Sequence, residues 1–261
     1  MRVIKLVIAY DGSSYHGFQR QLNASATIQQ LVEDRLAKLF GHKLVIHGAG
    51  RTDTGVHAQG QVVHFSTTGT IPTDKIVPAC RSVLPDDIVV LAAEEVPELF
   101  HAQKSALSKT YLYRIYQSDH LNPFWRNYAW HLPYDLDYLA MQQALLLIIG
   151  THDFSSFKAT GSAKVSPVRT ILNATCVRAA WPDGRLLPGV SGAAILYDFV
   201  FEGTGFLYHM VRNLMGTLVN VGTHKITVQA MQEILAAKDR RLAGKTAPPQ
   251  GLYLLTVDYG Q

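Results

Sequence analysis

The densest run of chemically versatile side chains is Gly48-Ala49-Gly50-Arg51-Thr52-Asp53-Thr54-Gly55-Val56-His57-Ala58-Gln59-Gly60-Gln61. Its four glycines permit tight turns and let a ligand come close to the backbone. Between them, Arg51 and Asp53 stand two residues apart. A guanidinium beside a carboxylate keeps it ionised, which suits a nucleophile or base and not an acid. Two phosphate-binding signatures fail. A dinucleotide fingerprint needs glycine where Asp53 stands, and a P-loop needs Lys followed by Ser or Thr where Val56-His57 follow Gly55. Two readings of the loop stay open on chemistry alone: a reactive carboxylate on a strand-connecting turn, or a surface turn whose Asp caps backbone N–H groups.

Three later segments also carry reactive or recognition chemistry. Ser108 to Ile115 interleaves basic and aromatic residues with strand periodicity, placing Lys109, Tyr111 and Tyr113 on one face and Leu112 and Arg114 on the other. Aromatic faces stack nucleobases at about 1–3 kcal/mol each. Tyr113 is expected in the core and Tyr111 at the site. In Gly205 to Gly216, a helix would bury Leu207, Met210, Val211 and Leu214 and leave Arg212 interrupting an apolar stretch. Arg212 either snorkels to the surface or reaches a buried acid or phosphate. In Gly244 to Leu254, Pro248-Pro249 stiffen a loop that presents Leu252 in a fixed pose. The histidines lack metal-ligand spacing, so no metal site is expected.

These segments need a scaffold. Periodicity and breakers predict strands at 3–10, 44–47, 61–66, 88–96, 106–117, 169–178, 194–202 and 252–259. They predict helices at 27–40, 73–83, 136–149, 207–221 and 228–238, the first opened by Thr27 and Gln30 at capping-box spacing and stopped by Gly41. Trp181 to Gly192 reads as an extended hairpin loop. Without regular β-α alternation, the class is α+β with a mainly antiparallel sheet and flanking helices. A boundary near 103–108 divides the chain into 1–104, carrying the glycine-rich loop, and 105–261.

Composition narrows the class. The chain has 261 residues, 48% hydrophobic and 17% charged, with a formal net charge of +4. That is enough apolar material for a large core, and its mild basicity suits a nucleic-acid partner without requiring one. No apolar run approaches membrane-span length and the N-terminus reads as a strand, so a cytoplasmic location is expected. Cys80 and Cys176, far apart and without partner motifs, read as buried free thiols.

Taken together, the segments resemble the tRNA pseudouridine synthase A family, also called tRNA pseudouridine synthase I. The motifs that carry the resemblance are YDGSSYHGFQRQ at 10–21, GAGRTDTGVHA at 48–58, LPDDI at 84–88, FHA at 100–102, SKTYLYRI at 108–115, HDFSSF at 152–157, FLYHMVRNLMG at 206–216 and TAPPQGLYL at 246–254, in that order. The resemblance implies the pseudouridine synthase fold, with an active-site cleft between two halves. It implies conversion of uridine to pseudouridine in the anticodon stem-loop of tRNA, at nucleotides 38, 39 and 40, without metal or cofactor, by a homodimer. It places the family's catalytic aspartate on Asp53, its active-site tyrosine on Tyr111 and its later arginine on Arg212. Arg51, Tyr111 and Leu252 fall on its substrate contacts. By the same resemblance, Arg212 would pair with Asp53, Tyr111 would lie against the uracil, and Leu252 would pack on the base. Asp11 would order a turn near the site.

The sequence departs from the family pattern in three places. Phe18 stands where the family usually has Trp, Gln103 stands where Arg usually follows FHA, and Glu202-Gly203-Thr204-Gly205 is an unusual lead into Phe206. No departure falls on Asp53, Tyr111 or Arg212. Two other function classes compete: a catalytically silent RNA-binding or chaperone module, which need not retain Asp53, and a nucleotide-dependent enzyme using the Gly48 loop.

Overall fold

The computed structural model describes residues 1–21, 26–159, 165–180 and 194–260. The hairpin loop expected at 181–192 lies outside them. The chain forms two compact units: Met1–Lys109 together with Tyr253–Gln261, and Thr110–Leu252. The sequence reading divided the chain once, at 104/105; by contacts, the last strand returns to the first unit.

In the first unit, β1 (Arg2–Tyr10), β3 (His57–Thr67) and β4 (Ile88–Val96) form an antiparallel sheet. The strand β10 (Leu252–Asp258) adds parallel to β3, and β2 (His47–Gly48) pairs with β3. In the β1–β3 ladder, Ile4 faces Phe65, Leu6 faces Val63 and Ile8 faces Gln61. Alternate residues of β1, namely Ile4, Leu6 and Ile8, are fully buried, as a strand with one face on the core requires. The helix α1 (Ile28–Phe40) starts where the Thr27 side chain accepts from the Gln30 amide and stops at left-handed Gly41, φ 74°. The helix α2 (Thr73–Arg81) ends two residues before the expected limit. The expected strand at 44–47 shrinks to His47–Gly48, whereas β3 extends back to His57.

In the second unit, β5 (Ser108–Gln117), β9 (Ile195–Gly203), β8 (Val168–Ala180) and β7 (Gly150–Asp153) lie side by side in that order, with β6 (Trp130–Leu132) parallel to β5. The helices α3 (Tyr138–Leu146), α4 (Met210–Gly222) and α5 (Val228–Ala237) pack together. The α3 helix is shorter than the expected 136–149. Asp137 caps its start by accepting from the Ala140 amide at 2.9 Å, and Gly150, at φ 108°, opens β7 and does not merely end the helix. The α4 helix starts three residues later than expected because its N-cap, His209, is left-handed at φ 62°. The short strands β6 and β7 carry no clear alternation and escaped the sequence reading. The class is α+β with a mostly antiparallel sheet, as expected.

Candidate active site

Asp53 lies on the connection from β2 to β3, and the backbone around it is irregular. Burial alternates along it: Arg51 is exposed, Thr52 buried and Asp53 half-buried. The alternation follows from how the loop is gripped. Gln61, with no exposed surface, turns its amide onto the Gly50 peptide; its Nε2 donates to the Gly50 carbonyl at 2.8 Å and its Oε1 accepts from the Gly50 amide at 3.3 Å. The Ala49 amide donates to the Val62 carbonyl at 2.7 Å. Beyond Arg51, the Thr52 hydroxyl lies 2.8 Å from the Tyr10 hydroxyl, and the Phe18 amide donates to the Thr52 carbonyl at 3.0 Å. The Val56 amide closes the turn on the Asp53 carbonyl at 3.1 Å. Residues 50 and 52 are therefore held inward, and Arg51 is turned outward between them. Burial pushes the Tyr10 phenol up to about 12, so it stays protonated at neutral pH.

The opening motif at 10–21 is the other wall of this loop. A Cβ on Gly12 would meet the Val56 carbonyl at 2.0 Å, and one on Gly17, whose φ is +85°, would meet the Thr52 carbonyl at 2.8 Å. Only glycine allows those backbone-to-backbone approaches. Asp11 orders its turn by accepting from the Ser13 amide at 2.9 Å. His57 is a buried strut: its Nδ1 accepts from the Gly12 amide at 3.1 Å, and its ring stacks on Tyr253 with centroids 4.7 Å apart.

The other expected site residues belong to the second unit. Tyr111 on β5 is 8% exposed and meets Phe206 edge-on, with centroids 4.9 Å apart. Tyr113 is fully buried, as expected, and its hydroxyl donates to the Pro248 carbonyl at 2.8 Å. That bond fixes the Pro-Pro loop, which forms a 3₁₀ turn over Pro249–Gly251 and delivers a buried Leu252. Arg212, in the first turn of α4, is half-buried. It is tied to Ala247 twice: its Nε donates to the Ala247 carbonyl at 2.8 Å, and its own carbonyl accepts from the Ala247 amide at 3.0 Å. Its guanidinium is thereby aimed by main chain and is not a loosely snorkelling surface group.

Sequence reasoning missed the residues that hold these groups in place. Gln61 left one signal that could have found it: it shares the inward phase of β3 with Val63 and Phe65 and is the polar member of that trio. Arg240 left no such signal. It donates to the carbonyls of Ala243 and Gly244 and to Asn213 Oδ1, tying the 243–247 segment to fully buried Asn213 of α4. Among the described residues, no group of three or more His, Cys, Asp or Glu side chains is arranged to hold a metal ion.

The sequence profile of the family described as tRNA pseudouridine synthase matches residues 6–103 and 144–260. The chain belongs to the tRNA pseudouridine synthase family. It is 44% identical over 262 residues to the tRNA pseudouridine synthase A of Thermoanaerobacter sp. (strain X514), covering 99% of this chain and 100% of that protein. It is 45% identical to the tRNA pseudouridine synthase A of Exiguobacterium sp. (strain ATCC BAA-1283 / AT1b), covering 99% and 98%. It is 41% identical to that of Streptococcus pneumoniae (strain P1031), covering 98% of each. In this tRNA pseudouridine synthase family member, Tyr10, Arg51, Asp53 and Gln61 fall inside the first matched stretch and Arg212 and Leu252 inside the second, whereas Tyr111 falls between the two.

Proposed function

We propose that this chain isomerises uridine to pseudouridine in the anticodon stem-loop of tRNA, at nucleotides 38, 39 and 40, with Asp53 as the catalytic carboxylate. The observation that carries this reading is the way Asp53 is presented. In a chain matched to the family along most of its length, Asp53 is half-buried on a loop whose neighbours Gly50 and Thr52 are clamped by Gln61, Tyr10 and Phe18. Such preorganisation is what a reacting group needs, because misplacement by about 1 Å costs on the order of 10²-fold in rate.

The reaction breaks the N1–C1′ bond of uridine, rotates the uracil, forms a C5–C1′ bond, and moves the C5 proton so that N1 gains one. Atoms and oxidation level are conserved, so no carrier is consumed. The target nucleotide leaves its stack first, at a cost of a few kcal/mol. Asp53 then attacks C1′, adds to the ring, or takes a ribose proton. Arg212 supplies the positive charge that offsets the reacting carboxylate, its side chain oriented by the Nε bond to the Ala247 carbonyl. Tyr111 lies against the uracil, and its hydroxyl assists loss of the C5 proton. Leu252 packs on the base, and Arg51 holds the flipped-out geometry. The enzyme works as a cytoplasmic homodimer. The test is to incubate the purified chain with unmodified tRNA, without added metal or nucleotide, and map pseudouridine. Modification confined to the anticodon arm is expected; none, or modification elsewhere, would refute the assignment.

A further inference from the structure

Beside the Asp53 loop, the first unit holds a cavity of about 150 Å³ whose lining includes Arg51, His47, His101, Gln19, Gln103 and Phe18. It has room for about five waters, too little for a drug-sized ligand and enough for one compact ionic group. Among the described residues, no aspartate or glutamate lines it. The carboxylate behind it, Glu33 of α1, is engaged by the Ile46 amide at 3.1 Å, by Gln29 at 3.1 Å and by Arg20 at 3.1 Å.

The lining is set up to donate. Arg51 brings a guanidinium with five N–H donors and no acceptor. The His101 Nδ1 accepts from the amides of Gln103 and Lys104 at 3.2 and 3.4 Å. An Nδ1 that accepts carries no proton, so the neutral ring keeps its proton on Nε2 and donates there. His64, packed on both His47 and His101 with ring centroids 5.1 and 4.9 Å apart, accepts from the Ala102 amide through its own Nδ1 at 3.1 Å. Burial, and then its two histidine neighbours, push His64 down to about 4, so it adds no charge at neutral pH and acts as a ring platform for the others. Arg51 is two residues from Asp53, at most about 7 Å along an extended chain.

We infer that this cavity is an anion subsite that takes one backbone phosphate of the RNA strand next to the target nucleotide, with Arg51 supplying the charge and the ring N–H of His101 a fixed direction. The subsite stands on the reading of the Asp53 loop as an RNA-modifying site. It goes beyond that reading by fixing one phosphate at one place, and by making Gln103 the residue that tunes affinity.

The test uses the full chain, an anticodon stem-loop RNA, and two variants of exposed Gln103. Gln103→Glu puts a carboxylate into the cavity and is expected to weaken RNA binding about ten-fold. Gln103→Arg is expected to tighten it and to steepen the dependence of log Kd on log salt by roughly one unit. A tightening cannot come from misfolding. A set of RNAs carrying a neutral methylphosphonate at single positions around the target uridine then locates the phosphate. One position should cost wild type about ten-fold and Gln103→Glu less than two-fold, because the same contact is already lost. If both variants bind within two-fold of wild type, or every methylphosphonate costs the variant as much as wild type, the subsite is wrong while the RNA-modifying reading survives. If wild type neither binds nor modifies the RNA, the reading beneath it fails as well.

Discussion

Replacing Gln61 by methionine keeps the length and approximate volume of the side chain and removes only its amide. Two hydrogen bonds to the Gly50 peptide disappear, at 2.8 and 3.3 Å. Each is worth about 1 kcal/mol net, and a peptide group left without a partner adds about 1–3 kcal/mol. Gly50 is half-buried, so water recovers part of that penalty. The expected loss is therefore about 2–4 kcal/mol, which at roughly 2–4 °C per kcal/mol lowers the Tm by about 5–15 °C. The larger effect falls on chemistry. Gly50 immediately precedes Arg51, and freeing it lets Asp53 wander by about the 1 Å that costs on the order of 10²-fold. Single-turnover pseudouridine formation, with the Kd for tRNA measured alongside, separates the two effects. The rate should fall about 100-fold while the Kd stays within about three-fold. A Gln61→Met protein with unchanged Tm and a rate within two-fold of wild type would show that the clamp neither stabilises nor positions the loop.

Other consequences follow from the same geometry. His64 has a folded pKa of about 4 against an ordinary 6.5, so below 6.5 the unfolded chain binds the extra proton and stability is lost as pH falls from 6.5 to 4, by up to about 3 kcal/mol. His64→Gln should flatten denaturant midpoints across that window, and an equally steep profile would contradict the assignment. Arg240→Ala removes the tie between 243–247 and Asn213 and should cost about 2–4 kcal/mol in urea unfolding; a change below 0.5 kcal/mol would make the tie ornamental. Tyr111→Phe keeps the edge-on packing against Phe206 and loses only the hydroxyl. A drop of about 10²-fold or more in the single-turnover rate is expected from loss of proton transfer, and an unchanged rate would leave Tyr111 a stacking role alone.

What could be read from the chain tracks the range of the interactions involved. Helix α1 was legible from Thr27 to Gly41 because cap, stripe and stop are local chemistry. Strand β4 was legible to the residue, since Ile88 follows a turn and Val96 precedes Pro97. The start of α4 was not, because left-handed His209 is a residue type that helices tolerate and the signal to delay the helix is tertiary. Of the candidate site, Asp53 and Arg51 were legible as a carboxylate and a guanidinium between glycines. Chemistry alone left them balanced against a capped surface turn, and the family motifs gave them roles. The grip on them was hidden. Gln61 is eleven residues from Gly50 in sequence, Tyr10 is 42 from Thr52, and Ala247 is 35 from Arg212. Pairings at such separations are made by strand register and helix packing, which no short window encodes.

The central claim is that Asp53 performs the chemistry while the rest of the protein binds and presents the RNA. It is tested most directly by comparing wild type with Asp53→Ala on unmodified tRNA, measuring single-turnover pseudouridine formation and Kd in the same preparation. The expected result is no detectable pseudouridine, with a Kd within about three-fold of wild type. Substantial turnover by Asp53→Ala would contradict the account.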